Sequence, residues 1–336
     1  MRKLLYIALP IVLVAIATVV AWPHLRSRSA SPTSTTTTTV VHHVSIAPLT
    51  GLGDPSGASL KRPALSVKIE NTPDALPQWG VDQADAVYEE IVNGGITRLL
   101  AVFNSQAPQK IGPVRSVRPT DTQIVWPIGG IFAYSGGAAY AIASISTAPV
   151  KQVDESSAGT AMFRDPTRYA PHNLYGVAPG LFAFGGTPTP PPALFTYRTG
   201  AETLPSSLVK SFVVPFPSIY PVTWTWDPST TSWDRTLFGS PDVTGTGVRE
   251  SPKNVIVMWV NYVNGIGTMS SYADLQGSGP AAVFTGGREV RGVWSRGASK
   301  GDILQYRTTS GTTIALTPGQ TWVEVLNAGV AVPVTK

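Results

Sequence analysis

From Asp82 to Asp121 the chain reads DQADAVYEEIVNGGITRLLAVFNSQAPQKIGPVRSVRPTD. Charged groups here sit inside strongly apolar runs. Asp82, Asp85, Glu89 and Glu90 are followed by Arg98, Arg115 and Arg118. Charged residues make up only 13% of the chain, against about 25% in a typical domain. A buried charge without a partner is costly. Any fold of this chain must therefore pair these groups or turn them toward a ligand.

The spacing of Val81, Ala84, Val87, Tyr88 and Ile91 predicts an amphipathic helix over Val81 to Val92, stopped at Asn93-Gly94-Gly95. On that helix Asp82, Asp85 and Glu89 would share one face. Leu65 to Ile69, Ile96 to Phe103 and Ile131 to Tyr134 read as strands. Arg118 to Ile128 reads as a short helix with Pro119 in its first turn, and Ala138 to Ile145 as an Ala-rich one. Alternating strands and helices predict an α/β or α+β N-terminal domain over residues 48–190.

The segment GGTPTPPP, residues 185–192, marks a boundary. Beyond it, residues 191–336 read as a β-rich C-terminal domain. Val222 to Trp226 and Ser232 to Phe238 flank Asp227-Pro228 as a hairpin. Asn254 to Val263 reads as a long buried strand. Short strands follow at Ala281–Phe284, 290–294, 303–307, 312–316 and 321–326. Trp224, Trp226, Trp233, Trp259, Trp294 and Trp322 lie in this half. They read as core, with sugar stacking as the alternative.

The net charge of +5 belongs to the N-terminal tail. Arg2, Lys3, Arg26 and Arg28 precede the first acidic residue, Asp54; without them 21 basic residues face 20 acidic ones. That balance predicts no nucleic-acid partner. Leu4 to Trp22 carries no charge over 19 residues, just enough for a helix across a ~30 Å hydrocarbon core. The expected order is a cytoplasmic stub (1–3), a single-pass transmembrane anchor (4–22) and a Ser/Thr-rich linker (23–47), with the domains extracytoplasmic. Ala15-Ile16-Ala17 supports a cleaved signal peptide as the competing reading. Both export the remainder.

The chain has no cysteine, which excludes disulfides, thiolate metal sites and cysteine nucleophiles. His172 is the single histidine beyond residue 43. No metal site and no cofactor are expected. H-E-x-x-H and the P-loop pattern are absent from the sequence. Ser207-x-x-Lys210 lacks the motifs that would make S-x-x-K meaningful.

Asp85, Glu89 and His172 are the candidates for acid/base chemistry. Arg98, Arg115 and Arg118 are candidates for an anionic ligand. Ser135-Gly136-Gly137, ahead of a helix, offers free N–H groups to the same ligand.

Several ordered motifs, KRPALSVKIEN, PQWGVDQADAVYEEIVNGGITRLLAVF, IGPVRSVRPTD, SGG and PHNLY, resemble the YerB-like family of exported bacterial proteins of unknown function. The later stretches WDR, NVIV, GVWSR and LTPGQTWVEVL are similar to that family's C-terminal domain. The resemblance runs from about Pro48 to the C-terminus. It implies two domains held outside the membrane. Motif positions in this chain include Asn71, Asp85, Tyr88, Glu89, Gly94, Gly95, Thr97, Arg98, Gly112, Pro113, Arg115, Ser116, Gly136, Gly137, His172 and Asn173. The resemblance brings no reaction with it. Members are often described as lipoproteins, whereas this sequence has no anchor cysteine.

The expectation is a membrane-tethered envelope protein. It would bind an anionic or glycan-bearing ligand, or an envelope partner, through Arg98, Arg115, Arg118, Ser135, Gly136, Gly137 and Asn173. A hydrolase or transferase on wall polymer, and a scaffold with internally paired charges, are the alternatives.

Overall fold

The computed structural model describes residues 44–200, 207–218 and 221–336. The expected anchor and most of the linker lie outside the described residues. Among those described, no helix is long and apolar enough to cross a membrane.

The fold is mostly β, and this corrects the expected α/β or α+β N-terminal half. Its strands are β1 (Leu65–Glu70), β2 (Ala86–Ile91), β3 (Thr97–Phe103), β4 (Ile131–Tyr134) and β5 (Lys151–Asp154). They continue as β6 (Ser211–Val214), β7 (Val222–Asp227), β8 (Ser232–Leu237), β9 (Asn254–Val263), β10 (Gly277–Thr285), β11 (Arg288–Arg296) and β12 (Thr321–Asn327). Helices are short: α1 (Pro119–Ile128), α2 (Ala139–Ile145) and a five-residue turn at Ala178–Phe182.

The expected helix over Val81 to Val92 is a 3-10 turn, Val81–Gln83, followed by β2. Every residue of β2 is buried. A strand buried on both faces loses the polar/apolar alternation that normally gives it away. Its β-branched and aromatic residues, Val87, Tyr88 and Ile91, favour the extended form. The shared carboxylate face therefore does not form: Asp82 lies in the turn, Asp85 precedes the strand and Glu89 is within it.

One sheet of 12 strands runs through both halves of the chain. Its central order is β11-β10-β9-β12-β2-β3-β1-β4-β5. β12 pairs in parallel with β9 on one side and with β2 on the other. Glu324 of β12 is in register with Glu89 of β2. Backbone pairing between β12 and β2 joins the N-terminal and C-terminal halves of the chain in one sheet.

The sheet's two faces are covered differently. Ile124, Val125 and Ile128 of α1 and Ala141 and Ile145 of α2 pack on Tyr88, Leu100, Val102 and Phe132. On the other face β6, β7 and β8 form a second sheet. Phe212, Trp224 and Trp233 from it pack against Val87, Leu99, Phe284 and Trp322. The hairpin around Asp227-Pro228 forms as expected. Trp224, Trp233, Trp294 and Trp322 are core residues, while Trp226 and Trp259 are half-buried.

Candidate ligand-binding surface

Glu89 and Glu90 are neighbours in a strand, so their side chains leave opposite faces of the sheet. Each face supplies a buried cation. On the β-sheet side, Arg235 of β8 donates to Glu89 Oε2 at 2.6 Å and also pairs with Asp242. Asn71 Nδ2 and Thr97 Oγ1 donate to Glu89 Oε1 at 2.9 and 2.7 Å. On the helix side, Lys68 Nζ pairs with Glu90 and, at 2.7 Å, with Asp121. Asp121 also accepts the Arg118 backbone N–H at 2.6 Å and caps α1. Burial, reinforced by the Asp121 charge, pushes the Glu90 carboxyl up to about 7 despite Lys68.

Asp85 is buried where the chain leaves β3. It accepts the Ser105 N–H at 2.7 Å and pairs with the Ser105 hydroxyl and the Asn104 N–H. Burial raises its carboxyl to about 6, against those hydrogen bonds. His172 lies elsewhere: its Nδ1 is 2.9 Å from Glu70 Oε2. Glu70 is in register with Arg98, and Leu65 with Phe103. Asp85 and His172 therefore sit near opposite ends of β1, roughly 15 Å apart at strand rise. The three acid/base candidates are not gathered in one place.

The arginines are gathered. Arg98 projects from β3 on the helix side, alongside Glu90 and Glu70. Arg115 and Arg118 lie on a segment that continues the sheet where β4 ends: Ile69 bridges Val114, and the Arg115 N–H donates to the Lys68 carbonyl at 2.9 Å. The Ser135–Gly137 turn seals against that segment, with Ser135 N–H donating to the Arg115 carbonyl and Val117 N–H to the Gly136 carbonyl, both at 3.0 Å. Arg98 Nη1 donates to the Ser116 carbonyl at 2.8 Å. Arg118 donates twice to Asn93 Oδ1, at 3.0 and 2.6 Å. Arg115 meets Glu70 at 3.2 Å.

Most of these guanidinium bonds go to neutral oxygens, while Asp121, Glu70 and Glu90 lie close enough to act on the cluster's charges. Burial and the nearby Arg118 and Arg115 charges bring the Arg98 guanidinium down to about 9. Arg98 Nε and Arg115 Nε are buried donors with no acceptor. Gly94 and Gly136 border the group at φ +80° and +120°, and a Cβ on either would meet open space. Both positive φ values are ones that glycine adopts readily.

Asn173 stands apart from the arginines as a loop tie. Its Oδ1 accepts from Arg164 at 2.7 Å, and its Nδ2 reaches the Arg168 carbonyl at 3.2 Å. Gly137 faces Val117, which a Cβ would approach to 2.7 Å. A second feature was invisible in sequence. A cavity of about 420 Å3 lies between α1 and the strand Tyr272–Asp274, lined from both halves of the chain. No motif joins residues that far apart.

Comparison with known proteins bears on this architecture. Residues 49–184 match the protein of unknown function (DUF3048) N-terminal domain, and residues 212–323 match the DUF3048 C-terminal domain. The chain belongs to the DUF3048 family. A DUF3048 relative, the Bacillus subtilis (strain 168) protein YerB, named as a candidate lipoprotein, is 35% identical over 138 residues. That alignment covers 38% of this chain and spans only 39% of YerB. The crystal structure of YerB from Bacillus subtilis superimposes with a TM-score of 0.75 at 23% identity, covering 87% of this chain and 99% of that one. At that identity the likeness is one of fold.

Proposed function

We propose that this DUF3048 protein is a membrane-associated, extracytoplasmic binding protein of the cell envelope, and that its arginine surface holds an anionic ligand. The lipoprotein description of YerB supports the location. The observation that carries the binding reading is the gathering of Arg98, Arg115 and Arg118, with Arg115 and Arg118 half-buried and the bonds of Arg98 and Arg118 made to neutral oxygens. An anion would add charge-assisted bonds to these guanidiniums. The acid/base reading has weaker support, because Asp85 and Glu89 are buried and fully engaged.

The test is isothermal titration of the purified full-length chain, in detergent micelles, with inorganic polyphosphate. Arg115→Ala and Arg118→Ala should each weaken binding by about tenfold, near 1.4 kcal/mol, and added salt should weaken the wild type. Unchanged affinity in both variants, or no binding by the wild type, overturns the reading.

A further inference from the structure

The cavity between the two halves is a built feature with its own chemistry. Pro119, Thr122, Gln123 and Trp126 line one wall. Their spacing of three, four and seven places them on a single face of α1. Tyr272, Asp274 and Gln276 line the opposite wall. Tyr272 and Asp274 alternate onto one face of the strand Tyr272–Asp274, and Gln276 follows at a bend where its N–H donates to Asp274 Oδ1 at 3.1 Å, while Ala273 and Leu275 between them are buried in the core. Arg296 and Lys300 contribute from the end of β11 and the loop after it.

The two walls are pinned to each other. Gln123 Nε2 donates to the Ala273 carbonyl at 2.8 Å, and the Leu275 N–H donates to Gln123 Oε1 at 2.9 Å. The Ala273 N–H donates to Thr120 Oγ1 at 3.0 Å. Arg296, almost fully buried, is fixed by donating to the backbone carbonyls of Asp302 and Lys300 at 2.8 and 2.7 Å. Lys300 Nζ sits 4.6 Å from the centre of the Trp126 ring. The gap is therefore held open by fixed elements.

The lining selects the ligand class. Its lining mixes the apolar surface of Trp126, Tyr272 and Pro119 with polar and charged groups, so a ligand with one apolar and one polar side matches it better than a purely apolar one. Asp274 forms no ion pair among the described residues and would repel an anion. Arg296 and Lys300 would repel a cation. Two aromatic rings, a carboxylate, amides and the hydroxyls of Thr122 and Ser144 instead match a neutral polyol with one apolar face. The volume of about 420 Å3 falls within the ~300–1,000 Å3 of small-molecule sites.

We infer that this cavity is a carbohydrate site that takes a neutral pyranose ring, with Trp126 and Tyr272 against the ring's C–H face and Asp274 and Gln276 on its hydroxyls. The inference is independent of the arginine surface, because a neutral sugar offers that surface no charge to hold.

The probe is N,N′-diacetylchitobiose, titrated into the full-length chain and followed by saturation-transfer NMR and Trp fluorescence. Saturable binding at millimolar concentration is expected. It should fall about tenfold in Asp274→Asn and in Trp126→Ala, and less in Trp126→Phe, which keeps an aromatic ring. Circular dichroism identifies any variant that fails to fold, and Asp274→Asn decides the matter if Trp126→Ala does. No saturable binding by the wild type, or binding unchanged in folded Asp274→Asn, overturns the assignment.

Discussion

Arg235 Nη2 lies 2.6 Å from Glu89 Oε2, and both side chains are fully buried. The pair joins β8 to β2, and so links the two sequence segments that match the family. Arg235 also pairs with Asp242 and sits over the Trp322 ring at 4.9 Å. Removing one member of a buried pair strands the other's charge, at a cost of about 3–5 kcal/mol. Arg235→Met should lower stability by that order in urea unfolding. Arg235→Lys should rescue little, because a single ammonium cannot reproduce the fork between two carboxylates.

Trp224 Nε1 donates to Glu324 Oε1 at 2.7 Å. Trp224→Phe removes that donor with modest loss of volume. The expected cost is about 1–3 kcal/mol, beyond the packing change, and the urea midpoint reports it. Glu324→Gln in the Trp224→Phe background should change stability little further, because burial and the neighbouring Glu89 charge already raise the Glu324 carboxyl well above the usual carboxylate range.

Glu90 gives a pH signature. Its folded carboxyl is raised from 4.5 to about 7, first by burial. A raised group contributes stability that is fully present below its unfolded value and lost as pH rises through its folded value. The wild type should therefore lose stability between about pH 4.5 and 7. Glu90→Gln keeps an acceptor for Lys68 and removes the titration. Its stability should change less over the same window, so the difference between the two urea midpoints should itself vary with pH. A constant difference would refute the assignment.

Asn93 holds Arg118 through two hydrogen bonds to one oxygen. Asn93→Ala should lower polyphosphate affinity severalfold by releasing the guanidinium. It should cost less than ~1 kcal/mol of stability, as half-exposed polar substitutions usually do. Titration beside thermal unfolding separates the two effects.

Local elements were legible where their signals are local. The strand at Ile131, the helix started by Pro119 and the hairpin around Asp227-Pro228 all announce themselves within ten residues. β2 did not, because its polar positions are buried as deeply as its apolar ones. Asp82, Asp85 and Glu89 mimic one helix face only while the partner of Glu89, Arg235, stays out of view. Arg115 and Arg118 could be grouped with Arg98 by charge alone. The cavity residues Trp126 and Asp274 could not be grouped with each other, since nothing in the sequence brings α1 to the strand after β9.

β12 lies in the interior of the sheet, yet it is made after every other strand of that sheet. Until Thr321–Asn327 is available, β2 and β9 each present an unpaired edge, the kind of surface that recruits other chains. Folding is therefore closed from the far end, as an arch is by its keystone. An emerging chain has to keep two exposed strands apart from their neighbours until residues 321–327 arrive, so its vulnerability while it folds is set by how soon residue 327 is made.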